Sequence, residues 1–209
     1  MPLLGFRESR ALLAKYQLPL AKSAFAKTPG ALLKAAEGIS PPFVLKATGP
    51  NIKHKTERGL VNVCIHTREE LLHAAQKMAA QARGEDAVLV VQETLRGAEL
   101  IIGAKRDASF GPVVLFGTGG IYAELLDDVA VRTAPLSRKD ALEMIASTKA
   151  RKFFEGFRGM KANREEIVSL LLKTSRLVEK EKSVVELDFN PVIAGENGAF
   201  IVDARLVVE

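Results

Sequence analysis

Apolar positions recur along this chain with two spacings, one helical and one alternating. In FRESRALLAKY (6–16), Leu12, Leu13 and Tyr16 fall at helical spacing and predict a first helix, which QLPL ends. Thr28 followed by Pro29 has the form of an N-cap with proline in the first turn, and predicts a helix to about Gly38. FVLKA (43–47) predicts a short strand, GPNIKHKTERG a polar loop, and LVNVCIH a second strand. Thr67 with Glu70 forms a capping box that opens a helix to about Arg83. AVLVVQ (87–92), GAELIIGAKR (97–106), PVVLF (112–116) and DVAVRT (128–133) read as strands, with a hairpin turn from Asp107 to Gly111. Ser137 with Asp140 and Asn163 with Glu166 open two more helices, the second reaching about Glu181. VVELDFNPVIAGENGAFIVDAR (184–205) closes the chain as a hairpin, with Asn197-Gly198 expected at its turn.

Strands and helices alternate, but several strand pairs are joined by short turns. The expected class is therefore α/β (α+β) with a substantially antiparallel sheet, not a purely parallel doubly wound one. No Pro/Gly/Ser-rich linker marks a boundary. The 209 residues suffice for one large domain or two small lobes.

Composition narrows the classes. The net charge of +5 invites an anionic partner, with nucleic acid, nucleotides and phosphate-bearing coenzymes as candidates. Nucleic acid is disfavoured, because Trp is absent, only two Tyr occur, and no basic run is interleaved with aromatics. Cys64 is the single cysteine, so no internal disulfide or cysteine zinc cluster forms; in LVNVCIH it is expected to be a small buried hydrophobe. The opening MPLLGFRESR meets charge at Arg7, and no apolar run approaches the roughly 18–20 residues that cross a bilayer. A soluble, cytoplasmic protein without membrane contact is expected.

The closing hairpin carries polar groups where a core strand favours Val or Ile. With a two-residue turn at Asn197-Gly198, Asn190 faces Arg205; with a four-residue loop over 195–198, Asn190 faces Asp203. Either register sets Asp188, Asn190, Asp203 and Arg205 on one face, whereas a three-residue loop divides them. Two readings are open. Carboxylate and amide oxygens suit Mg²⁺, with the arginine beside it suiting a phosphate. Alternatively, the face is solvated and Asp203 pairs with Arg205.

A second charged region begins at Lys46, inside FVLKA, which either lines a cleft toward a phosphate or lies on an exposed sheet face. The loop beyond it holds Lys53, His54, Lys55, Thr56, Arg58 and Gly59, and is either a phosphate-covering loop or solvated surface. Two flanking lysines favour a neutral, nucleophilic imidazole at His54. FGTGG (116–120) lacks the dinucleotide spacing and reads as a flexible turn. QETLRGAE (92–99) offers backbone groups for a purine edge and Glu99 for ribose hydroxyls. No Walker-type phosphate loop occurs.

In this order, KYQLPL, VLKATGPNIKHKTERG, VQETLRGAELIIGAKRDASFGPVVLFGTGG, VRTAPL, FFEGFRG and ELDFNP…VDAR resemble the beta subunit of ADP-forming acetyl-CoA synthetases, over essentially the whole chain. The resemblance implies an ATP-grasp fold: two lobes with largely antiparallel sheets clasping a nucleotide, here near 20–92 and 93–209. It implies Lys46 on phosphate, Gln92, Glu93 and Leu95 along adenine, Glu99 on ribose, and Asn190 and Asp203 with Asp188 as Mg²⁺ ligands. Arg132 and Arg205 fall on family arginines, with Arg205 counted among the catalytic groups beside Lys46 and His54. ATP/ADP and Mg²⁺ are the implied cofactors. The implied reaction is acyl-CoA + ADP + phosphate ⇌ free acid + CoA + ATP. It runs through a phosphohistidine on a CoA-binding alpha subunit, with His54 joining the relay in an α2β2 assembly. One departure stands out: where the family usually has Asp, a variable residue and Gly-Gly-Val, this chain has Glu57, Arg58, Gly59, Leu60 and Val61. Leu60 restricts that backbone and Arg58 adds charge. A free-standing ATP-grasp ligase and a non-catalytic nucleotide-binding partner are the competing readings.

Overall fold

The computed structural model describes residues 2–49, 52, 55, 57–120, 128–157 and 159–209. In chain order these form α1 (Phe6–Lys15), β1 (Ser23–Ala26), α2 (Pro29–Ala35), β2 (Phe43–Thr48), β3 (Val61–Ile65), α3 (Arg68–Gln81) and β4 (Val88–Glu93). They continue with β5 (Ala98–Asp107), β6 (Gly111–Thr118), β7 (Val129–Thr133), α4 (Arg138–Ser147), α5 (Arg151–Glu155) and α6 (Arg164–Lys180). The last strands are β8 (Val184–Gly195), β9 (Gly198–Ile201) and β10 (Ala204–Val208). Two compact units emerge, one of Ala21–Leu95 and the other of Met1–Leu20 with Arg96–Glu209. The N-terminal helix thus belongs with the C-terminal residues.

In the Ala21–Leu95 unit, an antiparallel sheet runs β1-β4-β2-β3. Alternation in β2 sends Phe43, Leu45 and Ala47 into a core with Leu89 and Val91 of β4 and Leu32, Leu71, Ala75 and Met78 of the helices. Val44 and Lys46 lie on the other face. The Thr67–Glu70 capping box forms, with Glu70 N donating to Thr67 Oγ1 at 3.1 Å and Thr67 N donating to Glu70 Oε2 at 3.3 Å. Cys64 corrects an expectation: it is exposed, not buried. It sits on edge strand β3 with φ of 60°, where the β2–β3 register shifts, so the bulge breaks the alternation that its neighbours suggest.

In the other unit, β10-β8-β5-β6-β7 form an antiparallel sheet, with β9 also on β8. Leu100, Ile102, Val114, Phe116, Leu187, Phe189 and Leu206 point to one face and are essentially inaccessible. That face packs against α6, whose buried stripe includes Ile167, Leu170, Leu171, Thr174 and Leu177 at helical spacing. Arg106 fixes the far end of α6. Its guanidinium donates to the carbonyl oxygens of Val178, Glu181 (3.2 Å) and Lys182 (3.2 Å), groups that a helix end leaves without intrahelical partners. The β5–β6 turn is held by Asp107 Oδ1, which accepts from Ser109 N at 2.8 Å and Phe110 N at 3.0 Å. Among the described residues, no helix is long and apolar enough to cross a membrane.

Glu181 joins α1 to the end of α6, accepting from Lys15 Nζ at 2.6 Å and from the Tyr16 hydroxyl at 2.7 Å. These bonds, Lys15 first, hold its carboxyl below the ordinary range. Burial, then the bond to Glu181, pushes the Tyr16 phenol up to about 12. The raised phenol stabilises the fold fully below its unfolded value near 10 and loses that contribution as pH rises toward about 12. Tyr16→Phe should therefore lower the unfolding free energy at neutral pH, with the difference shrinking above about pH 10. Denaturant unfolding of both proteins across pH checks this; a pH-independent difference contradicts it.

Candidate functional site

Strand β8 places the candidate chemistry by alternation. Leu187 and Phe189 go into the core, and Glu186, Asp188 and Asn190 take the opposite face. Across from them, Arg205 pairs with Asp188 and Val207 with Glu186. The hairpin turns at Glu196-Asn197, between paired Gly195 and Gly198, and not at Asn197-Gly198. One register holds from β9 into β10, so Asp203 stands across from Asn190, as expected for the longer-loop alternative. Asp188, Asn190, Asp203 and Arg205 therefore share a face.

Charge on that face is unevenly matched. Burial, followed by the negative charges of Asp203 and Glu186, pushes the Asp188 carboxyl above the ordinary range, and Arg205 opposes the rise. Lys105 of β5 stands across from Glu186. Glu186 and Lys105 belong to the same face although neither stands out in the sequence. The signal for Glu186 was its position two residues before Asp188 in a strand.

Gly117 approaches the start of β7, Gly119 approaches β5, and Gly120 meets β5 and β8, so FGTGG is not a loose turn. A Cβ on Gly117 would stand 2.3 Å from Asp128 O, and one on Gly119 would stand 2.4 Å from Leu100 C. Gly119 N donates to Glu99 O at 2.9 Å. Gly120, at φ 74°, donates its N–H to Asn190 Oδ1 at 3.2 Å and lies against the Glu99 carboxylate. Glu99 and Asn190 thus meet at one backbone position. An amide oxygen has two lone pairs, so this bond leaves Asn190 Oδ1 able to accept once more. Arg132 falls elsewhere. It pairs with Val114 on the helix-covered face of the sheet and lies near Asp140, away from the Asp188 face.

In the Ala21–Leu95 unit, Lys46 is only 6% exposed. It lies between Val61 and Val90 on the face of the sheet opposite the core. Gln92, 3% exposed, lies on the same face opposite Val44 and Ser23. Just beyond, Glu93 Oε1 accepts from Lys22 N at 2.7 Å, and the Thr94 hydroxyl donates to Pro42 O at 2.6 Å. The Glu93 carboxylate is therefore engaged in anchoring the end of β4, and Leu95 is half-buried next to it. His54 lies outside the described residues.

Comparison with known proteins supplies the family. The model of the ATP-grasp domain family matches residues 2–208. The chain belongs to the ATP-grasp family. It is 40% identical over 201 residues to an ADP-forming acetate–CoA ligase II of Archaeoglobus fulgidus, covering 96% of this chain and 30% of that protein. It is 39% identical to the beta subunit of the ADP-forming acetate–CoA ligase II of Pyrococcus furiosus, covering 97% of this chain and 90% of that subunit. Among solved structures, an acetyl-coenzyme A synthetase of Ca. Korarchaeum cryptofilum, in complex with coenzyme A and Ca-AMPCP, superposes with a TM-score of 0.93 at 35% identity. That match covers 100% of this chain and 94% of the other. The same synthetase with Mg-AMPPCP, its phosphohistidine segment pointing towards the nucleotide binding site, superposes at 0.85 with 34% identity over 100% and 93% of the two chains.

The antiparallel sheets and mixed α/β content of this ATP-grasp chain agree with the expected fold class. Its donor set can also be tested against the implied metal. Asp188, Asn190 and Asp203 offer two carboxylates and one amide oxygen, and among the described residues no group of three or more His, Cys, Asp or Glu forms a metal cage. Such a set suits a hard cation that completes its shell with phosphate and water, and does not suit zinc.

Gly119 offers a direct check on the close approach. Gly119→Ala should destabilise the protein by about 2 kcal/mol or more, because backbone atoms, not a flexible side chain, oppose the new methyl. Thermal unfolding measures it, and a neutral result contradicts the packing described.

Proposed function

We propose that this chain is the nucleotide-binding subunit or domain of an ADP-forming acyl-CoA synthetase, catalysing carboxylate + CoA + ATP ⇌ acyl-CoA + ADP + phosphate. The observation that carries the reading is the one-sided Asp188/Asn190/Asp203/Arg205 face, in a chain 39% identical over 97% of its length to such a beta subunit. The chain spans only 30% of the Archaeoglobus ligase, and the acyl- and CoA-handling parts are assigned in this reading to a further domain or subunit. The partner is a CoA-binding alpha subunit carrying a phosphohistidine, in an α2β2 assembly. A single cysteine fits a cytoplasmic setting.

The residues divide the work as follows. Lys46, held in place by its burial in the strand, supplies positive charge to the phosphates. Gln92 to Leu95, anchored through Glu93 and Thr94, run along the adenine, and Glu99 accepts from ribose hydroxyls. Asn190 and Asp203, with Asp188 beside them, would hold Mg²⁺, which when bound supplies charge neutralisation to the phosphate oxygens. Arg205 stabilises the charge on the transferring group. In the ATP-consuming direction, a histidine nitrogen attacks the terminal phosphorus. The P–N bond forms, the P–O bond to ADP breaks, and ADP leaves with the electron pair. His54 joins this relay before a carboxylate oxygen attacks the phosphohistidine phosphorus; the new P–O bond forms, the P–N bond breaks, the imidazole leaves with the electron pair, and an acyl phosphate results. The thiolate of CoA then displaces inorganic phosphate. Little covalent chemistry falls to these side chains, so positioning and charge dominate.

Co-purification with the CoA-binding partner, followed by an assay of acid- and CoA-dependent ADP formation, tests the proposal. Turnover is expected only when both components are present; ligation by this chain alone, or no nucleotide binding, contradicts it. Asp203→Ala should weaken Mg-dependent ADP binding by about ten-fold or more, equivalent to roughly 1.4 kcal/mol. Calorimetry at wild-type affinity would rule out the ligand role. His54→Ala should abolish turnover and preserve Mg-ADP affinity, with unchanged turnover removing the histidine from the relay.

A further inference from the structure

Asp128 is a carboxylate outside the candidate metal face, and both of its oxygens are committed to one junction. Oδ2 accepts from the Thr118 hydroxyl at 2.8 Å. Lys149 N donates to Oδ1 at 2.8 Å and to Oδ2 at 3.0 Å. Lys149 lies between α4 and α5, so Asp128 ties the end of β6 to the helical layer. The backbone of Asp128 is fixed as well. It precedes Val129, which pairs with Gly117, and a Cβ on Gly117 would collide with Asp128 O. Hydrogen bonds to an ionised carboxylate are among the stronger ones, and this carboxylate accepts from a side chain and a backbone amide together.

Thr118 pairs with buried Leu100 and follows buried Phe116 by two residues, so its side chain takes the helix-covered face. The anchor therefore holds the last residue of β6 from the side away from Asp188 and Asn190. The next two residues carry the chain to those groups. Gly119 N donates to Glu99 O at 2.9 Å, and Gly120 N donates to Asn190 Oδ1 at 3.2 Å. Gly120 takes φ 74°, and a Cβ there would meet the Glu99 carboxylate, so a side chain would be strained and would displace Glu99. An amide N–H finds an acceptor in Oδ1 and none in the NH₂ end of the asparagine. The bond from Gly120 therefore decides which end of the Asn190 amide stands at this position. A flipped amide would place an NH₂ group, which cannot ligate a cation, where Oδ1 now lies.

We propose that Asp128 and Thr118 are positioning residues for the divalent ion: by anchoring the end of β6 they set the Gly120 N–H that orients the Asn190 amide oxygen. They act through the Gly119–Gly120 backbone. The inference rests on the proposed ligand role of Asn190 and extends it to two side chains on the far side of the sheet.

The test titrates the protein, in complex with its CoA-binding partner, with Mn²⁺ in the presence of ADP, and counts free Mn²⁺ by electron paramagnetic resonance. All variants are compared at a temperature where circular dichroism shows them folded. Thr118→Val keeps the side-chain shape and removes the hydroxyl; Asp128→Ala removes the anchor. Each should weaken ADP-dependent Mn²⁺ binding about ten-fold, the loss that follows removal of an outer partner of a metal ligand. ADP affinity without metal should stay at the wild-type value. Thr118→Ser retains the hydroxyl and should bind Mn²⁺ as the wild type does. The double variant should bind no more weakly than Asp128→Ala alone, because the two residues form one chain of contacts. Tyr16→Phe, which weakens the fold elsewhere, should leave Mn²⁺ binding unchanged. Wild-type Mn²⁺ affinity in Thr118→Val or Asp128→Ala, a loss in Thr118→Ser as large as in Thr118→Val, or an equal loss in Tyr16→Phe overturns the inference. Asn190→Ala measured alongside separates the two ideas. Unchanged Mn²⁺ binding in Asn190→Ala removes the ligand reading and this inference with it. Weakened binding there, beside intact binding in Thr118→Val and Asp128→Ala, removes this inference alone.

Discussion

A β-strand gives alternate residues to opposite faces, and β8 depends on that constraint from Glu186 to Asn190, between the register shifts at its two ends. Leu187 and Phe189 complete a core under α6 while Glu186, Asp188 and Asn190 are held on the other face. A shift of one residue would bury the carboxylates and expose the phenyl ring, so the apolar half of the strand enforces the position of its polar half. Strand β10 repeats the device, with Leu206 inward and Arg205 opposite Asp188. Core packing thereby holds like charges together in the absence of any attraction between them. Burial first, and then the neighbouring charges of Asp203 and Glu186, raise the Asp188 carboxyl.

The glycines of FGTGG serve the same face by a different route. They carry no side-chain chemistry. By admitting close backbone contact they bring Glu99 and Asn190 to the N–H of Gly120 and link the middle of the sheet to β8. Lys46 follows a third route, a long cationic side chain rooted in a strand whose neighbours Val61 and Val90 are apolar. In each case rigid sheet, not loop, sets the placement of the group, as catalysis by positioning requires.

Much of this was legible from residue pattern. The capping boxes at Thr67 and Ser137 marked their helices because hydroxyl and carboxylate three residues apart satisfy the first free amides. The shared face of Asp188, Asn190, Asp203 and Arg205 followed from period two together with a hairpin loop of even length, which the Gly195–Gly198 pairing supplies. Other features were hidden for physical reasons. β1 is four residues long and gains its strand character only by pairing with β4. α5 has no side-chain cap to announce it. Cys64 sits at a bulge with positive φ, which no alternation reveals. The grip of Arg58 on Glu85 spans 27 residues of sequence and needs the turn at Gly84–Asp86 to exist first. The hairpin turned one residue earlier than Asn197-Gly198 suggested, because Gly195 and Gly198 pair with each other.

The central claim is that Asn190 and Asp203 hold a divalent ion on the phosphates of a nucleotide. Anomalous diffraction from crystals grown with Mn²⁺ and a non-hydrolysable ATP analogue locates that ion directly. The account predicts a single peak coordinated by Asn190 Oδ1, an Asp203 carboxylate oxygen and phosphate oxygens. A nucleotide-bound ion remote from β8 and β10 would contradict it.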